Sequence, residues 1–158
     1  DTTVALHSEK YSIMKREEIK TYIPHREPML LVDEINIDEN HVAHATYQVR
    51  GDEFFLQGHF PGFPVVPGVI LCEIMAQSCS LLVGDQLKGR TPFYAGIDKA
   101  RFKSSVYPGD LIEITAKIVN HRAMVFFIEA VAKVKEKLCV QASLSFALVD
   151  NSALEQKK

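Results

Sequence analysis

The chain has 158 residues, of which 47% are hydrophobic and 24% are charged, with 18 Lys and Arg against 20 Asp and Glu. This composition is typical of a globular chain and excludes a disordered or collagen-like one. It also lacks the basic excess of proteins that bind nucleic acid through its backbone. We expect one domain over residues 1–158, with a core of about 12–150 between polar, frayed ends at Asp1–Lys10 and Asn151–Lys158.

Cysteine, histidine and hydropathy patterns exclude several further classes of protein. Cys72, Cys79 and Cys139 are odd in number and have no Cys-x-x-Cys spacing, so they predict buried free thiols rather than disulfides or a zinc knuckle. The histidines form no His-Glu-x-x-His motif, and no metal site is expected. The longest apolar stretch, Val65–Val83, is interrupted by Pro, Glu, Gln and Ser, so no membrane span is predicted. Because the chain starts at Asp1 rather than Met, a targeting segment could have been removed.

The first half of the chain predicts one short helix and two strands. Lys15–Ile23 is typical of a helix that ends before Pro24. Met29–Ile37 is rich in Leu, Val and Ile and predicts a first strand. Val42–Arg50 alternates apolar and polar residues, which predicts a second strand with one buried face.

A long apolar segment, Gly68–Leu87, follows. It is too long for one strand, and it is apolar on nearly every side from Val69 to Val83. A helix that is hydrophobic all round is normally buried. We therefore expect a long central helix.

The second half of the chain predicts three one-sided strands at Leu111–Asn120, Val125–Lys135 and Leu138–Val149. Turns are expected at Gly89–Pro92 and Pro108–Asp110, and a hairpin turn at Lys135–Lys137. Three adjacent strands with one apolar face each imply an antiparallel sheet whose buried face must be covered. The predicted fold is α+β, with a curved antiparallel sheet wrapped around the central helix.

The loop Gly58–Gly68, which holds three prolines and three glycines, is the first candidate functional element. It is either a tight strand-to-helix connection or a rigid site loop that presents His59. Glu73 lies in an otherwise apolar helix, where it is either a satisfied core carboxylate or a functional one with a raised pKa, held by Gln77 at i+4. Gly68 falls in the first helical turn, where a free N–H can bind an oxyanion. An imidazole, a carboxyl group and an oxyanion site suit proton abstraction beside a carbonyl.

These motifs resemble one enzyme family, the (3R)-hydroxyacyl-acyl carrier protein dehydratases of type II fatty-acid synthesis, the FabZ family. The segments that carry the resemblance are Gly58–Gly62, Pro67–Val69, Glu73–Gln77, Pro24–Arg26 with Leu30–Asp33, and Ala95–Lys103 with Pro108–Asp110. They follow the order of the family's motifs from Pro24 to Asp110, and the later strands fit its remainder.

The resemblance implies a hot-dog fold, no cofactor, and a homodimer with shared active sites, often assembled as a hexameric trimer of dimers. In that family's mechanism, His59 of one subunit removes the C2 proton of the 3-hydroxyacyl thioester. Glu73 of the other subunit, protonated or through a water, protonates the departing 3-hydroxyl. The Gly68 amide polarises the thioester carbonyl, the Val65 main chain orients the imidazole, and Gln77 holds Glu73.

Further details follow from the same resemblance. Glu at position 73 favours the dehydratase without isomerase activity, because the isomerising relative has Asp there. Ile74 and Ser104–Ser105 depart from the family pattern, the latter near the expected docking site for the acidic acyl carrier protein. Phe63 and Phe102 are candidates for lining the acyl tunnel. The basic residues expected to steer the carrier protein are Arg26, Lys99, Arg101 and Lys103.

Two other functions stay open. A hot-dog acyl thioesterase would use the same fold to send water to the carbonyl, and an acyl-binding module would carry a decayed site. The basic residues are mostly Lys rather than Arg. This composition suits a processed protein of the plastid stroma in an apicomplexan (an apicoplast-type plastid), and it equally suits a cytoplasmic protein of an AT-rich bacterium.

Overall fold

A computed structural model describes residues 12–155 of the chain, so the ends predicted at Asp1–Lys10 and over 156–158 lie outside the described residues. The described part contains one antiparallel sheet of seven strands in the order β1-β2-β3-β5-β6-β7-β4. The strands are β1 (Met14–Lys15), β2 (Glu34–Ile37), β3 (Val42–Gln48), β4 (Arg90–Phe102), β5 (Leu111–Arg122), β6 (Val125–Val134) and β7 (Lys137–Asp150). The helices are α1 (Arg16–Ile19), α2 (Gly68–Ser78) and α3 (Asn151–Glu155), with 3-10 helices at Phe54–Leu56 and Ser80–Leu87.

The strands β5, β6 and β7 confirm the three predicted one-sided strands. They pair in sequence order, and the predicted hairpin turn between β6 and β7 is present. Lys135 and Glu136 adopt φ values of 47° and 68°, the left-handed pair that a two-residue hairpin loop requires. The alternating residues fall on the expected face: Ile112, Ile114, Ala116, Phe126, Ile128, Ala130, Val140, Leu144 and Leu148 are buried.

Helix α2 covers the apolar face of this sheet and contacts β3, β5, β6 and β7. Leu71, Ile74 and Met75 are buried in the core. Burying such side chains contributes about 1.5–3 kcal/mol each relative to leaving them in water. The predicted α+β architecture, a sheet around a central helix, is confirmed.

The prediction of one helix over Gly68–Leu87 was wrong in its second half. The α-helix ends at Ser78 and the chain continues as a 3-10 helix that is bent by 45° from it. The hydroxyls of Ser78 and Ser80 donate to the carbonyls of Ile74 and Gln77, each at 2.7 Å. Hydroxyl bonds to the preceding turn compete with the helix ladder and bend it.

The N-terminal segment also differs from its prediction. The helix expected over Lys15–Ile23 is limited to α1, and the strand expected over Met29–Ile37 is formed only at Glu34–Ile37. Leu30, Leu31 and Val32 are buried, as the pattern implied, but the backbone of this segment bonds to the side-chain amide of Gln77 instead of a neighbouring strand.

Strand β4 was missed by the sequence analysis, which placed only a turn at Gly89–Pro92. It pairs with β7 at the edge of the sheet, with register shifts between Tyr94 and Gly96 and between Asp98 and Arg101. Each shift reverses the face to which later side chains point, so no alternating pattern survives in the sequence. The end predicted to fray at Asn151–Lys158 instead begins with α3.

Cys72, Cys79 and Cys139 are free and buried, as predicted. No single helix among the described residues is long and apolar enough to cross a membrane. Helix α2 meets the length and hydropathy criteria only together with the bent 3-10 helix after it.

Candidate active site

The loop that carries His59 is held by its own backbone. The His59 N–H donates to the Leu56 carbonyl at 3.2 Å, and the Val65 N–H donates to the His59 carbonyl at 2.8 Å. The His59 Nδ1 lies 3.0 Å from the Val65 carbonyl oxygen. Because a carbonyl can only accept, Nδ1 must carry the proton, which leaves a lone pair on Nε2. An imidazole in this tautomer can act as a base.

A buried carboxylate, Glu53, fixes the turn between β3 and the 3-10 helix Phe54–Leu56, which precedes this loop. It accepts hydrogen bonds from the Tyr47 hydroxyl at 2.9 Å and from the backbone N–H groups of Arg50 and Gly51 at 3.1 and 2.7 Å. Burial alone would raise the pKa of Glu53, but these donors outweigh it and lower the pKa. The sequence analysis missed this residue because a Glu after Gly-Asp is typical of an exposed turn.

Gly68 is the first residue of α2, after Pro67 at the N-cap. Its N–H therefore has no acceptor within the helix and lies at the positive end of the helix dipole. The ring of Phe102 covers its α-carbon so closely that a Cβ would lie 2.8 Å from Phe102 Cε1. Only glycine fits there without moving the ring.

Glu73 projects from α2 into a cluster of hydrogen-bond donors. The Gln77 amide donates to Glu73 Oε1 at 2.9 Å and also donates to the Met29 carbonyl at 2.7 Å. The Nε2 atom of His25 lies 3.5 Å from the same Oε1. The Tyr94 hydroxyl, which donates to the Cys72 carbonyl at 3.1 Å, lies close to the same carboxylate. The sequence analysis gave neither His25 nor Tyr94 a role, because each comes from a different part of the chain.

Of the two alternatives for Glu73, the one with a raised pKa does not hold for the single chain. Burial raises the pKa of this carboxyl, but the hydrogen bonds from His25, Gln77 and Tyr94 outweigh burial and lower it below its ordinary value. Glu73 is therefore a carboxylate at neutral pH in the free chain.

Glu73 lines a cavity of about 290 Å³. Its walls are largely apolar and include Val83, Phe93, Ile128, Phe146 and Leu148. His59 is not among the lining residues, so within one chain this cavity contains the carboxylate without the imidazole.

The two residues expected to line an acyl tunnel do not border this cavity. Phe63 is 64% exposed, and its ring packs against that of Phe60, 5.7 Å away between centroids. Phe102 borders a different depression, together with Gly68 and Leu71.

The four basic residues expected at a docking surface fall into two groups. The Arg26 guanidinium donates to the carbonyls of Ile23, His25 and Lys20, so its N–H groups are already hydrogen-bonded within the chain. Lys99, Arg101 and Lys103 lie on β4 or directly after it and are exposed. Among residues 12–155, no three His, Cys, Asp or Glu side chains are grouped closely enough to hold a metal ion.

Comparison with known proteins places these features in one family. The model of the FabA-like domain matches residues 23–143. A FabZ 3-hydroxyacyl-acyl-carrier-protein dehydratase from Clostridium perfringens is 43% identical over 139 residues, which cover 86% of this chain and 99% of the relative. The corresponding protein of Streptococcus agalactiae is 42% identical over 135 residues, 84% of this chain and 96% of its own.

Solved structures agree on the fold. A chain of a dehydratase heterocomplex from Xenorhabdus doucetiae matches with a TM-score of 0.73 and 19% sequence identity, covering 87% of this chain and 95% of its own. This likeness confirms the predicted hot-dog fold.

Proposed function

The chain belongs to the FabZ family of 3-hydroxyacyl-acyl-carrier-protein dehydratases, and on this premise we propose that it removes water from (3R)-hydroxyacyl thioesters of acyl carrier protein. The product is the trans-2-enoyl thioester of fatty-acid biosynthesis. The observation that carries the proposal is the 43% identity to a FabZ dehydratase over nearly the whole of that relative. The arrangement of His59, Gly68 and Glu73 supports it chemically.

His59 is proposed as the base. Its Nδ1 proton is engaged by the Val65 carbonyl, which leaves the Nε2 lone pair to take the proton from C2 of the substrate. The negative charge that develops on the thioester oxygen needs a donor. The free N–H of Gly68, at the start of α2, supplies it together with the helix dipole.

Glu73 is proposed as the acid. As the C3–O bond breaks, the leaving hydroxyl takes a proton from the Glu73 carboxyl, directly or through a water, and departs as water. The free chain holds this group ionised, so it must gain a proton before the step. An acyl chain that fills the apolar cavity displaces water from the carboxylate, and such desolvation favours the protonated form. Gln77 holds the carboxylate in place through its amide.

A second copy of the chain is proposed to complete the site. The cavity around Glu73 lacks His59, and large apolar side chains close to each of them in the chain, and on β4, are exposed. Phe60 and Val69 are 47% and 76% exposed, and Ile97 on the edge strand β4 is 46% exposed. Pairing two copies along this face would bury these side chains and bring His59 of one to Glu73 of the other. A trimer of such dimers is the proposed larger assembly.

The carrier protein is proposed to dock on the basic face formed by Lys99, Arg101 and Lys103, whose side chains are exposed. An acidic carrier would be steered to it by charge. Arg26 contributes less because its donors already bind backbone carbonyls. The relatives named above are bacterial, which favours the bacterial cytoplasm over a plastid as the compartment of the reaction.

The deciding experiment is mass spectrometry of 3-hydroxybutyryl acyl carrier protein after incubation with the purified chain. Loss of one water with the thioester intact supports the dehydratase. Release of the free carrier thiol would indicate a thioesterase, and an unchanged carrier would indicate an acyl-binding module. Either of these results contradicts the proposal.

A further inference from the structure

The carboxylate of Glu73 is held by groups from three separate parts of the chain. His25 comes from the loop after α1, Tyr94 from the edge strand β4, and Gln77 from α2 itself. Only Gln77 is a neighbour on the same helix, so the other two contacts are made by the tertiary fold.

The imidazole of His25 faces Glu73, and its side chain makes no other ion pair or hydrogen bond among residues 12–155. A carboxylate only accepts, so the proton of a neutral His25 must lie on Nε2, which faces Glu73 Oε1 at 3.5 Å. Nδ1 is then a buried lone pair, and it is the one buried side-chain polar atom without a hydrogen-bond partner among residues 12–155. An unpaired buried atom costs about 1–3 kcal/mol, so a histidine here is poorly explained by stability alone.

The hydroxyl of Tyr94 is the second group, and Tyr94 lines the same cavity as Glu73 and His25. It donates to the Cys72 carbonyl at 3.1 Å and lies close enough to Glu73 for the same O–H to turn to the carboxylate instead. Its ring packs against Phe146 with the centroids 5.1 Å apart. The hydroxyl can thus be removed without disturbing the ring.

We propose that His25 and Tyr94 are positioning residues of the dehydration proposed above: together they fix the orientation of the Glu73 carboxylate and set the pH at which it takes up its proton. The inference rests on the proposed function for its catalytic meaning. The other titratable groups near Glu73 are the thiols of Cys72 on α2 and of Cys79 directly after it, and burial raises the pKa of both. The facing residues of β6 and β7 are the apolar Ile128, Phe146 and Leu148. His25 and Tyr94 are therefore the groups that control this carboxyl.

The test begins with the free protein. Glutamate labelled with ¹³C at the side-chain carboxyl is incorporated, and the Glu73 signal is assigned by its loss in Glu73→Gln. In His25→Leu and in Tyr94→Phe, the signal should titrate at a higher pH than in the wild type, because a donor to the charged form has been removed. In His25→Gln, whose amide N–H can replace Nε2–H, the titration should stay near the wild-type pH. An unchanged titration in both His25→Leu and Tyr94→Phe would overturn the proposal.

Turnover of a small 3-hydroxyacyl thioester supplies the second measurement. Loss of one orienting hydrogen bond should lower kcat about tenfold with KM nearly unchanged, and His25→Gln should restore most of the loss. His121→Leu and Tyr107→Phe, at an exposed histidine and an exposed tyrosine, are matched controls expected to leave kcat unchanged. A purely structural role would lower the melting temperature without moving the carboxyl titration. A wild-type chain without turnover would overturn the proposed function instead, and the titration would still decide whether these side chains control Glu73.

Discussion

Replacing Glu53 tests whether a buried carboxylate outside the cavity keeps the His59 loop in place. Glu53 is 7% exposed, and it binds the Tyr47 hydroxyl and the backbone N–H groups of Arg50 and Gly51. The substitution Glu53→Ala leaves these three donors without an acceptor. Each unpaired donor should cost about 1 kcal/mol, the low end of the usual range, because some of the donors regain a hydrogen bond to water. The free energy of unfolding should therefore fall by about 3 kcal/mol.

Glu53→Gln should lose about half as much, because its amide keeps one acceptor oxygen and turns an N–H toward the others. The pKa of Glu53 is lowered in the folded chain, so its contribution to stability is present above the ordinary glutamate pKa of about 4.3 and is lost as the pH falls below it. The difference between wild type and Glu53→Ala should thus be full at neutral pH and shrink in acid.

Urea unfolding followed by circular dichroism, at neutral pH and again in acid, measures both effects. Glu129→Ala, which removes an exposed carboxylate on β6, is the matched control and should change little. Equal unfolding midpoints for Glu53→Ala and Glu129→Ala at neutral pH would refute the reasoning. Because the turn that Glu53 holds leads through the 3-10 helix Phe54–Leu56 to the His59 loop, Glu53→Ala should also lower kcat even where the protein remains folded.

Three further predictions concern the chemistry. His59→Ala and Glu73→Ala should each lower dehydration by roughly a thousandfold, while size-exclusion chromatography shows an unchanged oligomer; substantial turnover in either variant contradicts the assigned roles. Arg101→Glu or Lys103→Glu should lower activity on carrier-linked substrate far more than activity on a small thioester. Lys133→Glu on β6 makes the same change of charge and is the control. Equal losses on both substrates would exclude docking at Arg101 and Lys103. Gly68→Ala places a Cβ 2.8 Å from Phe102 Cε1 and should lower kcat. Adding Phe102→Ala should restore part of the activity. If it does not, the contact with the Phe102 ring is not the reason that position 68 requires glycine.

The sequence was sufficient for those elements whose residues interact locally. The strands β5 to β7 each expose one face to water and bury the other, so their apolar residues alternate and the pattern is visible without a structure. The same holds for the burial of α2 and for the hydrogen bond between Gln77 and Glu73, since two residues four apart on a helix face each other by geometry alone. The assignment of roles to His59 and Glu73 required the family resemblance, and it remains a proposal.

Only the tertiary structure decided where non-local groups meet. Strand β4 carries two register shifts that erase its alternation, and the helix bends after Ser78 because hydroxyls bond to the preceding turn. His25 and Tyr94 are 48 and 21 residues from Glu73 in the chain, so no local pattern links them to it. The direction of the Glu73 pKa depends on them: the apolar helix alone predicts a raised pKa, and the donors that the fold brings to the carboxylate lower it.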